Sequence, residues 1–306
     1  MKILFLGIGS IAKRHIKNLR EVCAERDIEI TIDAFRRKAE STDGIDVVYC
    51  DEKDVPYGYD AVFVTNPTDR HLQSLRIFHD KGQHFFVEKP VVSLFQIEEA
   101  RAFRTRNNTI YHIACPLRHH SVIQYIKNNI EPKDVVSVRS ICSSYLPDWR
   151  PGLDYRKTYS AHKDRGGGVS IDLIHEWDYL VYLFGFPLCV KSIITRKSDL
   201  EISSDDLAVY IAEYPDKVAE IHLDYFGRKP IREIILLTNE DTIVGDLLNF
   251  QIRFLKSGEQ IDFNEERDVF QKHELNCFLD MILGLNEMEN EFLSGIDILE
   301  LTQRNE

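Results

Sequence analysis

An apolar run at residues 2–7, Lys2-Ile3-Leu4-Phe5-Leu6-Gly7, ends in glycine, and Ile11, His15, Ile16, Leu19 and Val22 then recur at helical spacing. This predicts a buried strand that feeds directly into a helix. The turn between them reads Gly7-Ile8-Gly9-Ser10-Ile11-Ala12. Its first glycine permits the turn, its second lets backbone N–H groups at a helix N-terminus approach an anion, and the small Ala12 allows close helix–strand packing. The segments that follow alternate in the same way. Strands are expected at residues 28–35, 47–50, 61–65, 84–87 and 110–114, and helices at 68–81 and 93–107. Each strand is short and apolar enough to be covered on both faces, as in a parallel, doubly wound sheet with right-handed crossovers.

After about residue 118 the pattern changes. One helix, 121–129, gives way to strands at 135–144, 189–195, 206–214, 218–226, 231–238, 242–246 and 251–254. Helices at 171–183, 268–283 and 295–303 supply cover for a large, mostly antiparallel sheet, which makes the second half α+β. The chain of 306 residues thus divides into residues 1–118 and 119–306, each large enough for its own core.

Composition narrows the partners. The net charge of -12 repels phosphate backbones and acidic membranes, so any anionic ligand needs a local basic pocket. Neither a nucleic-acid partner nor a membrane is expected. The longest uncharged apolar stretch, 179–190, contains Gly185 and Pro187 and falls short of the roughly 20 residues of a spanning helix. Six cysteines at positions 23, 50, 115, 142, 189 and 277 have no metal-ligand spacing and are expected to be buried, reduced thiols. The expectation is a cytoplasmic protein without a metal.

In its strand–turn–helix context the turn at Gly7, Gly9, Ser10 and Ile11 is the fingerprint of a dinucleotide site. The second strand ends Asp33-Ala34-Phe35-Arg36-Arg37 without the terminal carboxylate that takes an adenosine ribose. Arg36 and Arg37 suit a 2′-phosphate and favour NADP over NAD; the alternative is a solvated basic turn with Asp33 on the ribose. Glu88-Lys89-Pro90 follows the fifth strand at the carboxyl end, where ligands bind in open α/β sheets. Gly166-Gly167-Gly168 reads as a flexible loop that delivers a helix carrying Asp172, His175 and Asp178. Their spacing of three puts them near one face, where histidine can exchange a proton and a carboxylate can orient its ring. The segment from Tyr145 to Arg165 is dense in aromatic and basic residues. Trp149, Tyr155, Arg156 and Arg165 are candidates for a clamp that stacks on rings and neutralises phosphates, with a solvated loop or dimer contact as the alternative.

These motifs, together with Thr65-Asn66-Pro67-Thr68 and His71, occur in the order seen in the Gfo/Idh/MocA oxidoreductases, which the chain resembles over nearly its full length. The resemblance implies an N-terminal Rossmann domain that binds NAD(P) and a C-terminal sheet that forms the substrate wall and an oligomer face. It implies that Lys89 lies at the reacting carbon, that His175 is the acid/base histidine with Asp172 near the substrate, and that Thr65, Asn66, Pro67, His71 and Glu88 belong to the cofactor cleft. Arg118 corresponds to an arginine that often faces the cleft, with a role at the domain junction as the alternative. The family commonly has three residues between the aspartate and histidine where this chain has two, which reads as a one-residue deletion near the helix start. The segment around Trp149 also resembles a subgroup associated with bacterial surface-polysaccharide and nonulosonic-acid genes. The expected activity is hydride transfer between the nicotinamide and a sugar or sugar nucleotide in a homodimer or homotetramer. The alternatives are a redox-assisted glycosidase or epimerase and a non-catalytic NAD(P)-binding regulator.

Overall fold

The computed structural model describes residues 1–38 and 43–306. Its first apolar run forms β1 (Lys2–Leu6), with every residue from Ile3 to Leu6 buried, and α1 (Ser10–Glu25) follows after a three-residue turn. Next come β2 (Thr31–Phe35), β3 (Val47–Tyr49), β4 (Tyr59–Val64), α2 (His71–Ile77), β5 (Gly82–Val87), α3 (Ile97–Arg101) and β6 (Tyr111–Ile113). All six strands pair in parallel in the order β3-β2-β1-β4-β5-β6. Strand order reverses between β1 and β4, and the carboxyl ends of those two strands flank the switch point where such sheets take ligands. Two helices are shorter than their periodicity predicts. The 68–81 segment opens as a 3₁₀ turn before α2, and the 93–107 segment is helical only from Leu94 to Arg101.

Phe5, Phe63 and Phe86 stack across three adjacent strands, with ring centroids 4.5 and 4.7 Å apart. Their face is covered by α1 and by a helix from far along the chain, α7 (Val269–Ile282), whose Phe278 meets Phe63 edge-on. Arg26–Asp280 and Lys272–Glu21 pairs, at 2.6 and 2.8 Å, hold the two helices together. Consequently Asp268–Asp297 packs with Met1–Pro116, while Leu117–Arg267 forms the second unit with Ile298–Glu306. A single cut at residue 118 misses this return because the apolar stripe of α7 does not say which sheet it covers.

The second unit opens with α4 (Ser121–Asn129) and β7 (Val135–Tyr145). The short α5 (Val169–Asp172) and α6 (His175–Phe184) precede β8 (Cys189–Thr195), β9 (Leu207–Glu213), β10 (Val218–Asp224), β11 (Phe226–Thr238), β12 (Thr242–Asp246), β13 (Gln251–Phe254) and β14 (Gln260–Asp262). The eight strands run β14-β13-β12-β11-β7-β10-β9-β8, antiparallel except for the parallel β7–β10 pair. On one face Tyr179 and Ser140 share a hydrogen bond of 2.6 Å, and Tyr210 donates to the carbonyl of Thr302, just after α8 (Phe292–Leu301). The other face leaves Ile193 and Ile211 exposed. All six cysteines are free thiols, but only Cys23, Cys115 and Cys142 are buried. Cys50 is exposed and Cys189 and Cys277 are half-buried, which corrects the expectation for those three.

Candidate functional site

In the first unit the sequence-predicted residues gather at the carboxyl edge of the parallel sheet. Gly7 has φ +87, and a Cβ there would stand 2.9 Å from Asn66 Cα, so both conformation and close approach require glycine. Gly9 caps α1 at φ -90, and among the described residues a Cβ there would meet no atom within 4 Å. No internal packing accounts for that glycine. The first turn of α1, with exposed Ser10 and half-buried Ile11, has neither a side-chain cap nor an acidic residue, which leaves its orphan N–H groups for an anion. Ala12 is fully buried against the sheet.

Thr65 ties the end of β4 to this turn by donating to Gly7 O at 2.8 Å. Asn66 donates to Ser74 Oγ at 2.7 Å, and its Oδ1 is buried without a partner among the described residues. Pro67, exposed, caps the 3₁₀ turn that follows. A bare cradle at Gly9, uncapped N–H groups and an orphaned amide oxygen at Asn66 fit a dinucleotide whose phosphates lie over the turn.

At the end of β2, Arg36 is half-buried and Arg37 exposed. Asp33 is buried in the strand, where its Oδ2 accepts a 2.6 Å bond from Tyr59, so it is withdrawn from the ribose role held open for it. His71 is also buried. Its Nε2 lies 2.9 Å from Asn66 O and its Nδ1 3.1 Å from Pro90 O, and burial holds its pKa below the ordinary range. It therefore fastens the Asn66 and Pro90 segments together from behind and does not line a surface, which corrects that expectation.

Lys89 is half-buried directly after β5, and its peptide bond to Pro90 is cis. The preceding Glu88 lies 2.5 Å from His15 Nε2 on α1. Burial alone would raise the Glu88 pKa, but His15, with Lys89 and His71, outweighs it and holds the carboxyl below its usual range. The role of His15 escaped the sequence reading, although a histidine on an otherwise apolar helix face calls for a buried partner.

In the second unit the glycines before α5 are required by close packing. A Cβ on Gly167 would stand 2.1 Å from Tyr159 O, and one on Gly168, at φ +142, 2.2 Å from Asp205 Oδ1. Asp205 anchors this turn by accepting from Ser170 N at 2.9 Å. The loop is pinned, which corrects its reading as flexible. The helix breaks between Asp172, the last residue of α5, and His175, the first of α6. Every residue from Gly167 to Leu180 is buried except His175, which is half-exposed. Asp172 accepts a 2.5 Å bond from Tyr225, and Glu176 is buried against Arg232.

The other predicted groups separate. Asp178 forms a bidentate pair with Arg118 at 2.8 and 2.7 Å, so Arg118 is engaged within its own unit. Trp149 packs edge-on against Tyr225 at 5.2 Å and donates to Ser144 Oγ. Tyr155 accepts from Glu201 N. Arg156 is exposed and neutralised by Asp154 and Glu201 at 2.8 and 3.1 Å, and Arg165 is exposed in a 3₁₀ turn. A clamp role for Arg156 is disfavoured because two carboxylates already hold its guanidinium.

Residues 1–113 match the profile of the Oxidoreductase family, NAD-binding Rossmann fold (GFO_IDH_MocA). A curated relative, "Uncharacterized oxidoreductase YrbE" of Bacillus subtilis (strain 168), is 26% identical over 186 residues, which cover 59% of this chain and 52% of the relative. The match thus spans about half the length of that relative. Among solved structures, UDP-N-acetylglucosamine 3-dehydrogenase GnnA from Acidithiobacillus ferrooxidans is 18% identical with a TM-score of 0.77, covering 99% of this chain and 95% of that one. Levoglucosan dehydrogenase in complex with NADH is 15% identical with a TM-score of 0.85, covering 100% and 95%. The myo-inositol 2-dehydrogenase of Lactobacillus plantarum is 16% identical with a TM-score of 0.78, covering 99% and 95%. At these identities the likeness speaks for the fold alone. Among the described residues no helix is long and apolar enough to cross a membrane. The profile of the Gfo/Idh/MocA oxidoreductases is thus matched from β1 through β6, with the glycine turn at the switch point of that sheet, and the likeness is to the NAD-binding Rossmann domain of that family.

Proposed function

We propose that the chain is an NAD(P)-dependent dehydrogenase of sugars or sugar nucleotides, whose own residues bind the dinucleotide, orient the sugar and move the hydroxyl proton. The observation that carries this reading is Gly9, a glycine that no contact with the described residues requires, at the head of a helix without a side-chain cap over the switch point. When bound there, the nicotinamide cofactor supplies the hydride chemistry. Gly7, Gly9, Ser10 and Ile11 would hold the pyrophosphate, and Thr65, Asn66 and Pro67 would border it. Arg36 and Arg37 at the end of β2 would take a 2′-phosphate, and the withdrawal of Asp33 into its bond with Tyr59 favours NADP.

Lys89 is the proposed cation at the reacting oxygen, held in place through the Glu88–His15 pair. His175, the one residue with surface access in its buried run, is the proposed proton carrier, and Asp172, which accepts a bond from Tyr225, is proposed to lie near the substrate. The names of the solved neighbours, which act on UDP-N-acetylglucosamine, levoglucosan and myo-inositol, favour a polyhydroxylated substrate. The open face of the eight-stranded sheet, with Ile193 and Ile211 exposed beside Val209 and Ile141, is proposed to pack against a second copy in a homodimer or homotetramer.

The test is a parallel titration with NADPH and NADH followed by nicotinamide fluorescence. Tighter binding of NADPH supports the two arginines, and binding of neither refutes the dehydrogenase. Sedimentation of only monomer at micromolar concentration refutes the oligomer.

A further inference from the structure

Beside Asp172 the side chains form a closed circuit of contacts. Tyr225 donates to Asp172, and Trp149 stands edge-on to Tyr225 with ring planes at 90°. The next residue, Arg150, lies with its guanidinium 5.8 Å from the centroid of Tyr159. Burial and the Asp172 carboxylate raise the pKa of the Tyr159 hydroxyl, whose hydrogen bond to Asp172 closes the circuit. A second guanidinium, Arg228, lies 3.9 Å over the ring of Tyr145, and Tyr145 pairs with Phe226 across the β7–β11 ladder. Both arginines therefore leave the same end of that ladder, one just after β7 and one near the start of β11.

These arginines differ from their neighbours in how their charge is met. Arg118 is held by Asp178, Arg139 by Glu220, Arg156 by Asp154 and Glu201, and Arg232 by Glu176. Arg150 and Arg228 are exposed, and among the described residues neither has a carboxylate within ion-pair distance. A guanidinium lying on an aromatic face keeps its N–H edge turned outward and loses little freedom when it binds. Two such forks in a chain of net charge -12 form a local anion trap in a surface that otherwise repels anions.

Resting on the sugar-dehydrogenase reading, we infer that the substrate is a sugar carrying a phosphate or diphosphate, gripped by Arg150 and Arg228. Asp172, buried and occupied by its two tyrosines, leaves the phosphate to the arginines. Two charge-assisted contacts require about tenfold or more in affinity from each arginine.

The test is calorimetric titration of the full chain with uridine diphosphate after saturation with NADPH or NADH, at low and high salt. The parent should bind, weaken several-fold as salt rises, and lose about tenfold or more in R150Q and again in R228Q, with unchanged melting temperatures. No binding by the parent, parent-like binding by both variants, or equal affinity for glucuronate would overturn the inference. Failure of the chain to take either nicotinamide cofactor refutes the dehydrogenase reading instead, and the dependence on the two arginines is still measured by the same titration.

Discussion

Alanine at Gly7 and at Gly9, made separately, should split folding from cofactor binding within one turn. At Gly7 the backbone sits at φ +87, where a non-glycine residue costs about 1–2 kcal/mol. The new methyl would also lie 2.9 Å from two atoms of Asn66, a separation that forces the β4 end to move. With about 2–4 °C per kcal/mol for a domain of this size, the melting temperature should fall by roughly 4 °C or more. At Gly9 the backbone is already allowed for alanine and the methyl meets none of the described residues. The loss of a good N-cap residue costs a few tenths to about 1 kcal/mol, and the reduced freedom of the unfolded chain returns about 0.4–1 kcal/mol, so the apoprotein should melt close to the parent. The methyl nevertheless occupies the approach to the first N–H groups of α1. Each charge-assisted bond lost is worth about 1.5–3 kcal/mol, so the dissociation constant should rise at least about tenfold. Thermal melting without cofactor and nicotinamide fluorescence titration read the two effects independently. G9A that binds within twofold of the parent, or G7A that melts with the parent, would refute the assignment of roles.

Three further outcomes follow from buried charges. His15→Gln should make the protein more acid-sensitive: the depressed pKa of Glu88 contributes stability above its ordinary value, lost as pH falls through the folded value, and loss of His15 moves that fall to higher pH. Melting curves from pH 3 to 7 that superimpose on the parent's would contradict this. His112 lies between Glu291 at 2.9 Å and Glu274 at 3.4 Å. Burial pulls its pKa down, but the two carboxylates push it up to about 10. Its contribution is complete below the unfolded value of roughly 6.5 and lost as pH rises through about 10, so His112→Gln should flatten the stability profile over that window. Arg118→Ala leaves Asp178, 3% exposed, without its fork and should cost about 3 kcal/mol in urea unfolding, a loss that a purely substrate-facing arginine would not cause.

What could be read in the chain beforehand depends on how far apart the interacting groups lie in sequence. The β1–turn–α1 unit was legible because its periodicity, its glycines and the small Ala12 are local and agree with one another. The destination of α7 was not, because its partners Glu21 and Arg26 lie some 250 residues earlier and an apolar helix face does not name the sheet it covers. The glycines at 167 and 168 carry the same ambiguity in a sharper form. A run of glycine is consistent with freedom and with crowding, and only the positions of Tyr159 O and Asp205 decide for crowding. Basic residues in the 145–165 segment show where charge alone fails as a guide. Arg156 and Arg150 look equivalent in sequence, yet Asp154, two residues before Arg156, folds back on it in a 3₁₀ turn and Glu201 completes its neutralisation. Arg150 instead lies with its guanidinium 5.8 Å from the centroid of the Tyr159 ring. Asp148 stands two residues before Arg150 just as Asp154 stands two before Arg156, and both aspartates lie at or in 3₁₀ turns, so local spacing does not tell the two arginines apart; only the fold shows that Asp154 pairs with its arginine while no ion pair joins Asp148 to Arg150.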